Sequence, residues 1–186
     1  MGLLRNIATR RLWRRLALLL IAGGLLGAAQ PVSEYQLKAV FLFNFAQFVE
    51  WPPAALPRES TPFVIGVLGK DPFGTALDEV VRGETANGHP LEVVRYHNVG
   101  EVRDCQILFI AASELPQLEG ILAALRGRSI LTVTDADSPA LHGVMIALVR
   151  QEKRIRLRID LQATKASNLT ISSKLLRPAE IVESGS

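Results

Sequence analysis

The sequence is poor in cysteine and in aromatic residues. It contains one cysteine, Cys105, among 186 residues, and 6% of its residues are aromatic. A single cysteine excludes an intramolecular disulfide framework and any zinc or iron–sulfur site that is built from several thiolates. Apolar residues make up 48% of the chain, which excludes a largely disordered protein because such chains contain too few apolar residues to form a core. The length suits one domain with a buried core.

Basic excess is absent from most of the chain. The formal charge of +3 arises in residues 1–29, which contain five arginines and no acidic residue. The remaining 157 residues carry 16 lysines and arginines against 18 acidic residues, so their net charge is −2. A protein that binds nucleic acid needs its basic residues in the folded part. Nucleic acid is therefore not an expected partner.

The first 29 residues have the three regions of a secretory signal peptide. Met1–Arg15 is positively charged, Leu16–Leu26 is apolar, and small residues follow up to Ala29. The apolar stretch through Ala29 covers 14 residues, whereas a helix needs about 20 to cross a bilayer. We expect cleavage after Ala29, which leaves an exported mature chain of residues 30–186.

The mature chain alternates between strand-like and helix-like segments. This order implies crossover connections and a mainly parallel sheet between layers of helices. The last two strand-like runs are separated by three residues, which is too short for a crossover and predicts an antiparallel hairpin. The predicted fold is α/β: a single three-layer α/β/α sandwich with a mainly parallel sheet and a C-terminal antiparallel hairpin, with its core at about residues 33–183. The predicted strands are 63–68, 91–96, 106–111, 129–134, 143–150 and 154–161, and the predicted helices are 34–50, 72–82 with Asp71 as its cap, 114–126 and one after Ser172.

The first predicted helix is unusually apolar. Ser33 and Gln36 have the spacing of a capping box, and Trp51-Pro52 ends the helix because the proline ring excludes the helical conformation at Trp51. Apolar residues occupy most of its circumference. Such a helix is either buried on several sides or carries a surface for a partner.

The sequence contains no convincing catalytic set, so no enzyme, cofactor or metal site is expected. The glycine-rich turn at Gly66–Gly74 fits neither nucleotide-binding motif, and the histidines show no metal-ligand spacing. Asp135 and Asp137 fit an ordinary turn. Ser172-Ser173-Lys174 lacks the spacing of a serine–lysine nucleophile, and helix capping explains the serines.

A ligand crevice is an alternative source of function. Doubly wound folds bind ligands beyond the carboxyl ends of their strands. Four residues occupy that position in the predicted sheet: Gly69, Lys70, Ser113 and Asp135. The alternative function is therefore a periplasmic small-ligand sensor or solute-binding module.

Several segments, in order along the mature chain, are similar to the YfiR/HmsC-like family of periplasmic regulators. The opening and closing segments are distinctive when they occur together. The matching segments are LKAVFLFNFAQFVEWP at 37–52, VLGKDPFG at 67–74, ILFI at 107–110, ILTVTD at 130–135, GVMI at 143–146 and LTISSKLL at 169–176.

This resemblance implies a non-enzymatic periplasmic protein. Such regulators bind the periplasmic region of a YfiN-type inner-membrane diguanylate cyclase and repress cyclic di-GMP synthesis and biofilm formation, and a YfiB-type outer-membrane lipoprotein can sequester them. We expect this role here, with the protein acting as a homodimer. The predicted partner-binding residues lie on the hairpin and the last segment: Ile155, Leu157, Ile159, Leu169, Ile171 and Leu175.

Overall fold

The computed structural model describes residues 33–56, 58, 60–138 and 142–182. The predicted signal peptide and its cleavage after Ala29 lie outside these residues. The described helices are α1 (Glu34–Phe48), α2 (Ala76–Val81), α3 (Leu118–Leu125), α4 (Leu161–Ala166) and α5 (Ser173–Leu176). Within the described part of the chain, no helix has the length and apolar character needed to cross a membrane.

The described strands form one large sheet and one small sheet. Short 3₁₀ segments occupy Pro53–Ala55, Val99–Glu101 and Ala112–Gln117. The strands are β1 (Val49–Glu50), β2 (Phe63–Leu68), β3 (Thr85–Ala86), β4 (His89–Tyr96), β5 (Ile107–Ile110), β6 (Leu131–Thr134), β7 (Ile146–Gln151), β8 (Arg154–Asp160), β9 (Thr170–Ile171) and β10 (Glu180–Val182).

The large sheet has eight strands in the order β10-β8-β7-β6-β5-β2-β4-β3. Its central strands β4, β2, β5, β6 and β7 are all parallel. At one end β8 pairs antiparallel with β7, and β10 pairs parallel with β8. At the other end β3 pairs antiparallel with β4. The prediction of an α/β fold with a mainly parallel sheet is confirmed.

Two elements near the predicted sheet lie differently from a simple reading of the sequence. The arginine-rich strand β8 lies inside the sheet, because β10 pairs with it over Arg158–Asp160. The helix predicted to begin at Pro72 begins at Ala76, so that prediction is wrong. Asp71 instead accepts a hydrogen bond from the Phe73 amide at 2.7 Å, which holds residues 71–73 in a turn before the helix.

The two faces of the sheet bury different apolar clusters. Side chains alternate between faces along a strand, and in β2 Ile65 belongs to one cluster while Val64 belongs to the other. The first cluster includes the inner side of α1, and the second includes α3. A complete layer of helices on each face, as in a three-layer sandwich, stays a prediction.

The lone cysteine is part of the second cluster. Cys105 is buried, and burial raises the pKa of its thiol to about 12. The sulfur lies 2.9 Å from the carbonyl oxygen of Ile107. A neutral, buried thiol is a poor nucleophile, so Cys105 acts here as a core residue.

Candidate functional site

The outer side of α1 is an exposed apolar surface. Among the described residues, three large apolar side chains are exposed, and two of them lie one helical turn apart on α1. Leu37 is 40% exposed and Val40 is 41% exposed. Phe41 and Phe48 are half-buried on the same helix. Adjacent exposed apolar side chains often mark a surface that contacts another protein, and we call this surface the α1 ridge.

Local sequence fixes where α1 begins. The Gln36 amide donates to Ser33 Oγ at 3.1 Å, and the Ser33 amide donates to Gln36 Oε1 at 2.7 Å. This capping box confirms the one predicted from the sequence. The opposite side of the helix carries the fully buried residues Leu42 and Phe45, which pack against the sheet. The α1 ridge therefore faces outward because the other side of the helix packs in the core.

A buried ionic cluster attaches α1 to the end of β6. The Lys38 side chain is 3% exposed, and its Nζ lies 2.7 Å from Asp135 Oδ2 and 2.6 Å from Glu34 Oε1. The same Nζ lies 4.5 Å from the centre of the Tyr35 ring, and the Tyr35 hydroxyl donates to Asp135 Oδ2 at 3.0 Å. A buried ammonium requires such partners because its desolvation is costly. We call these four residues the anchor cluster.

The electrostatics of the anchor cluster keep Glu34, Tyr35 and Lys38 in their ordinary charge states. Burial acting alone would lower the pKa of Lys38, but hydrogen bonds to Asp135 and Glu34 outweigh it and raise that pKa. The hydrogen bond from Lys38 lowers the pKa of Glu34, and burial raises the pKa of Tyr35. Lys38 is therefore charged and Tyr35 neutral near pH 7. This arrangement suits structural attachment better than proton transfer.

A second group of ion pairs involves Asp137, two residues after Asp135 in the segment that follows β6. Arg158 Nη1 lies 2.7 Å from Asp137 Oδ1, and Arg158 Nε lies 3.2 Å from Glu180 Oε2. These contacts join the segment after β6 to β8 and to the outermost strand β10. The connection that begins at Asp135 is thus held to α1 on one side and to the C-terminal strands on the other.

Most of the predicted partner-binding residues lie in the core. In the described structure a partner cannot reach the five buried side chains, and Ile155 is the one member that is partly exposed. Their role in partner binding stays a prediction. The buried members are Leu157, Ile159, Leu169, Ile171 and Leu175.

The fold brings together only some of the residues of the predicted ligand crevice. The Lys70 amide donates to Ser113 Oγ at 3.0 Å, and Ser113 Oγ donates to Glu114 Oε1 at 2.9 Å. Gly69 has a φ of +88°, and the Glu114 side chain occupies the position that a Cβ at this glycine would need. The carboxylate of Glu114 therefore fills the space beside this turn. Asp135 instead belongs to the anchor cluster.

Sequence reasoning missed Lys38 and Glu114. Lys38 lies on the buried side of an otherwise apolar helix, a position at which a lysine needs an acidic partner. That pattern could have indicated a buried ion pair. The identity of the partner could not be read, because Asp135 is 97 residues away. Among the described residues, no cluster of histidine, cysteine and acidic side chains could hold a metal ion.

Comparison with known proteins bears on what these surfaces do. No curated protein matches the chain. The sequence model of the YfiR/HmsC-like family matches residues 35–180, which include α1 and the anchor cluster except for Glu34, and the first residue of β10. Because this match spans well over half of the sequence, the protein belongs to the YfiR/HmsC-like family.

Proposed function

We propose that the protein is a periplasmic negative regulator of a diguanylate cyclase. In this role it binds the periplasmic region of a YfiN-type inner-membrane cyclase and represses cyclic di-GMP synthesis and biofilm formation. The observation that carries the proposal is the family match over residues 35–180. The family implies a periplasmic regulator of cyclic di-GMP signalling.

The α1 ridge supports a role that depends on protein contact. Leu37 and Val40 expose apolar surface that the fold does not use, on a helix fixed to the sheet by the anchor cluster. A regulator needs to bind the inactive cyclase more tightly than the active one. A difference of about 2 kcal/mol shifts that equilibrium roughly thirtyfold. We therefore propose the α1 ridge as a contact surface for the cyclase.

The test compares two double variants in cells. Leu37→Asp with Val40→Asp places charge on the ridge, and Ala124→Asp with Gln162→Asp is the matched control because both positions are exposed on other helices. We expect cellular cyclic di-GMP to rise several-fold in the ridge variant and in a clean deletion, with no change in the control. Immunoblotting shows whether each variant is present at the normal level. If the deletion leaves cyclic di-GMP unchanged, the proposed function is wrong.

The partner-binding set predicted on the hairpin enters the same test. Ile155→Glu charges the member of that set that a partner could reach, and a rise in cyclic di-GMP would support the hairpin as a second contact. We also propose that the protein is a homodimer and that a YfiB-type outer-membrane lipoprotein sequesters it. Sedimentation equilibrium of the mature chain tests the first statement, and co-purification with the lipoprotein tests the second.

A small-ligand sensor is the second candidate function, and a groove favours it. The groove has a volume of about 740 Å³ and lies between α3 and α4, with Leu118, Leu122 and Met145 among its lining residues. Ligand sites commonly have volumes of about 300–1,000 Å³. A metabolite that raises the melting temperature of the mature protein would support this function. Loss of the effect in Leu122→Trp would place the ligand in the groove, and loss in Lys70→Ala would place it at the predicted crevice.

A further inference from the structure

The two sides of strand β8 have different surroundings in the fold. Side chains alternate along this strand. Leu157 and Ile159 enter the first core cluster, with Ile155 packed against it. The arginines at the intervening positions 154, 156 and 158 lie on the other face. The side of β8 that remains open to a partner is therefore cationic rather than apolar.

These three arginines differ in their ion pairing among the described residues. Arg158 is neutralised by Asp137 and Glu180. Arg154 and Arg156 are exposed, and in the described part of the chain neither has an ion-pair partner. The facing strand β7 offers no carboxylate, since its register places Gln151 opposite Arg154 and Val149 opposite Arg156.

We infer that Arg154 and Arg156 bind an acidic, extended segment of a protein partner. This inference deepens the proposed function, because it rests on the chain acting through protein contact. Residues two apart on a strand are separated by about 7 Å, which is also the spacing of alternate side chains in an extended partner segment. Each guanidinium can bind one carboxylate through two hydrogen bonds. The partner segment therefore carries acidic residues at alternate positions.

The hairpin tip favours a protein over a lipid surface. Between the two strands lie only Glu152 and Lys153, and Gln151 precedes them. Loops that enter a membrane interface carry aromatic or aliphatic side chains. This tip has none and includes an acidic residue, so an anionic bilayer is the less suitable partner.

The test uses the purified mature chain and a synthetic probe. A fluorescent peptide of seven glutamates is titrated by anisotropy, and a peptide of seven glutamines is the uncharged control. The double variant Arg154→Gln/Arg156→Gln is compared with Arg103→Gln/Arg126→Gln, which removes two exposed arginines outside the hairpin. Circular dichroism confirms that both variants fold. We expect the hairpin variant to bind the glutamate peptide about tenfold more weakly, and the control variant to bind it like the unmodified protein.

Three results would overturn the inference. The first is that the unmodified protein binds the glutamate peptide no more tightly than the glutamine peptide. The second is that the two double variants lose affinity equally. The third is that the hairpin arginines are required for sedimentation with phosphatidylcholine vesicles containing phosphatidylglycerol but not for peptide binding, which would identify a lipid surface as the partner. The cyclase takes no part in this assay, so a negative result in the peptide assay leaves the proposed function standing. An unchanged cyclic di-GMP level in the deletion strain would instead remove the proposed function alone.

Discussion

Asp135 and Asp137 lie two residues apart, yet their ion pairs are of different kinds. The Asp135 side chain is 9% exposed and meets a lysine that is 3% exposed, whereas the Asp137 side chain is 59% exposed and meets an arginine at the sheet surface. Both distances are 2.7 Å. The two pairs therefore contribute differently to stability although their distances are equal, because a buried pair cannot lose one partner without leaving a desolvated charge. A solvated pair is largely screened by water and salt.

The largest expected effect comes from removing the buried cation. Lys38→Met keeps much of the side-chain volume but leaves Asp135 and Glu34 without their shared partner. We expect the free energy of unfolding to fall by about 3 kcal/mol, measured by urea denaturation at pH 7. Lys38→Arg is the control, because it keeps the charge and should cost less. A loss below about 1 kcal/mol in Lys38→Met would show that the buried pair behaves like an exposed one.

A smaller effect, which depends on pH, is expected from Glu34, whose side chain is 29% exposed. The pKa of Glu34 is lower in the folded protein than its ordinary value of 4.5, chiefly because of its hydrogen bond with Lys38. A carboxyl with a lowered folded-state pKa contributes stability above its unfolded-state pKa and loses it as the pH falls through the folded value. Glu34→Gln should therefore cost about 0.5 kcal/mol at pH 6 and nothing once the pH lies below the folded pKa. Urea denaturation of both proteins across pH 2 to 6 tests this, and a gap that persists at the acid end would contradict it.

The smallest effect is expected at the exposed pair. Asp137→Asn should change the free energy of unfolding by less than about 0.5 kcal/mol, because Arg158 keeps Glu180 and water can replace the lost carboxylate. Raising the salt concentration should shrink even this difference. A cost close to that of Lys38→Met would remove the distinction between the two aspartates.

Local signals in the sequence predicted much of the fold. The capping box at Ser33 and Gln36 predicted the start of α1, and Ser172 caps the last helix as expected. Asn168 adopts a φ of 57°, a left-handed conformation that the short polar side chain of asparagine tolerates. These features depend on residues close together in the chain, so the sequence displays both partners at once.

Features that depend on distant pairing could not be predicted in the same way. Strand β10 is three residues long and follows Pro178, so nothing local indicates that it covers β8. The candidate site also depended on tertiary structure. Glu114 fills the turn at Gly69, and the predicted contact residues such as Leu157 and Ile159 are covered by elements from elsewhere in the chain. The sequence placed the predicted contact residues on the hairpin and the last segment, but only the packed structure shows that most of their side chains are buried.

The separation between Lys38 and Asp135 also sets an order of folding events. These residues are 97 positions apart, so α1 cannot acquire its buried counter-charge until the sixth strand has been made and has joined the sheet. Contacts between distant segments form late because the intervening chain must first lose its freedom. We therefore expect α1, the first helix in the described part of the chain, to be among the last elements to become fixed in place.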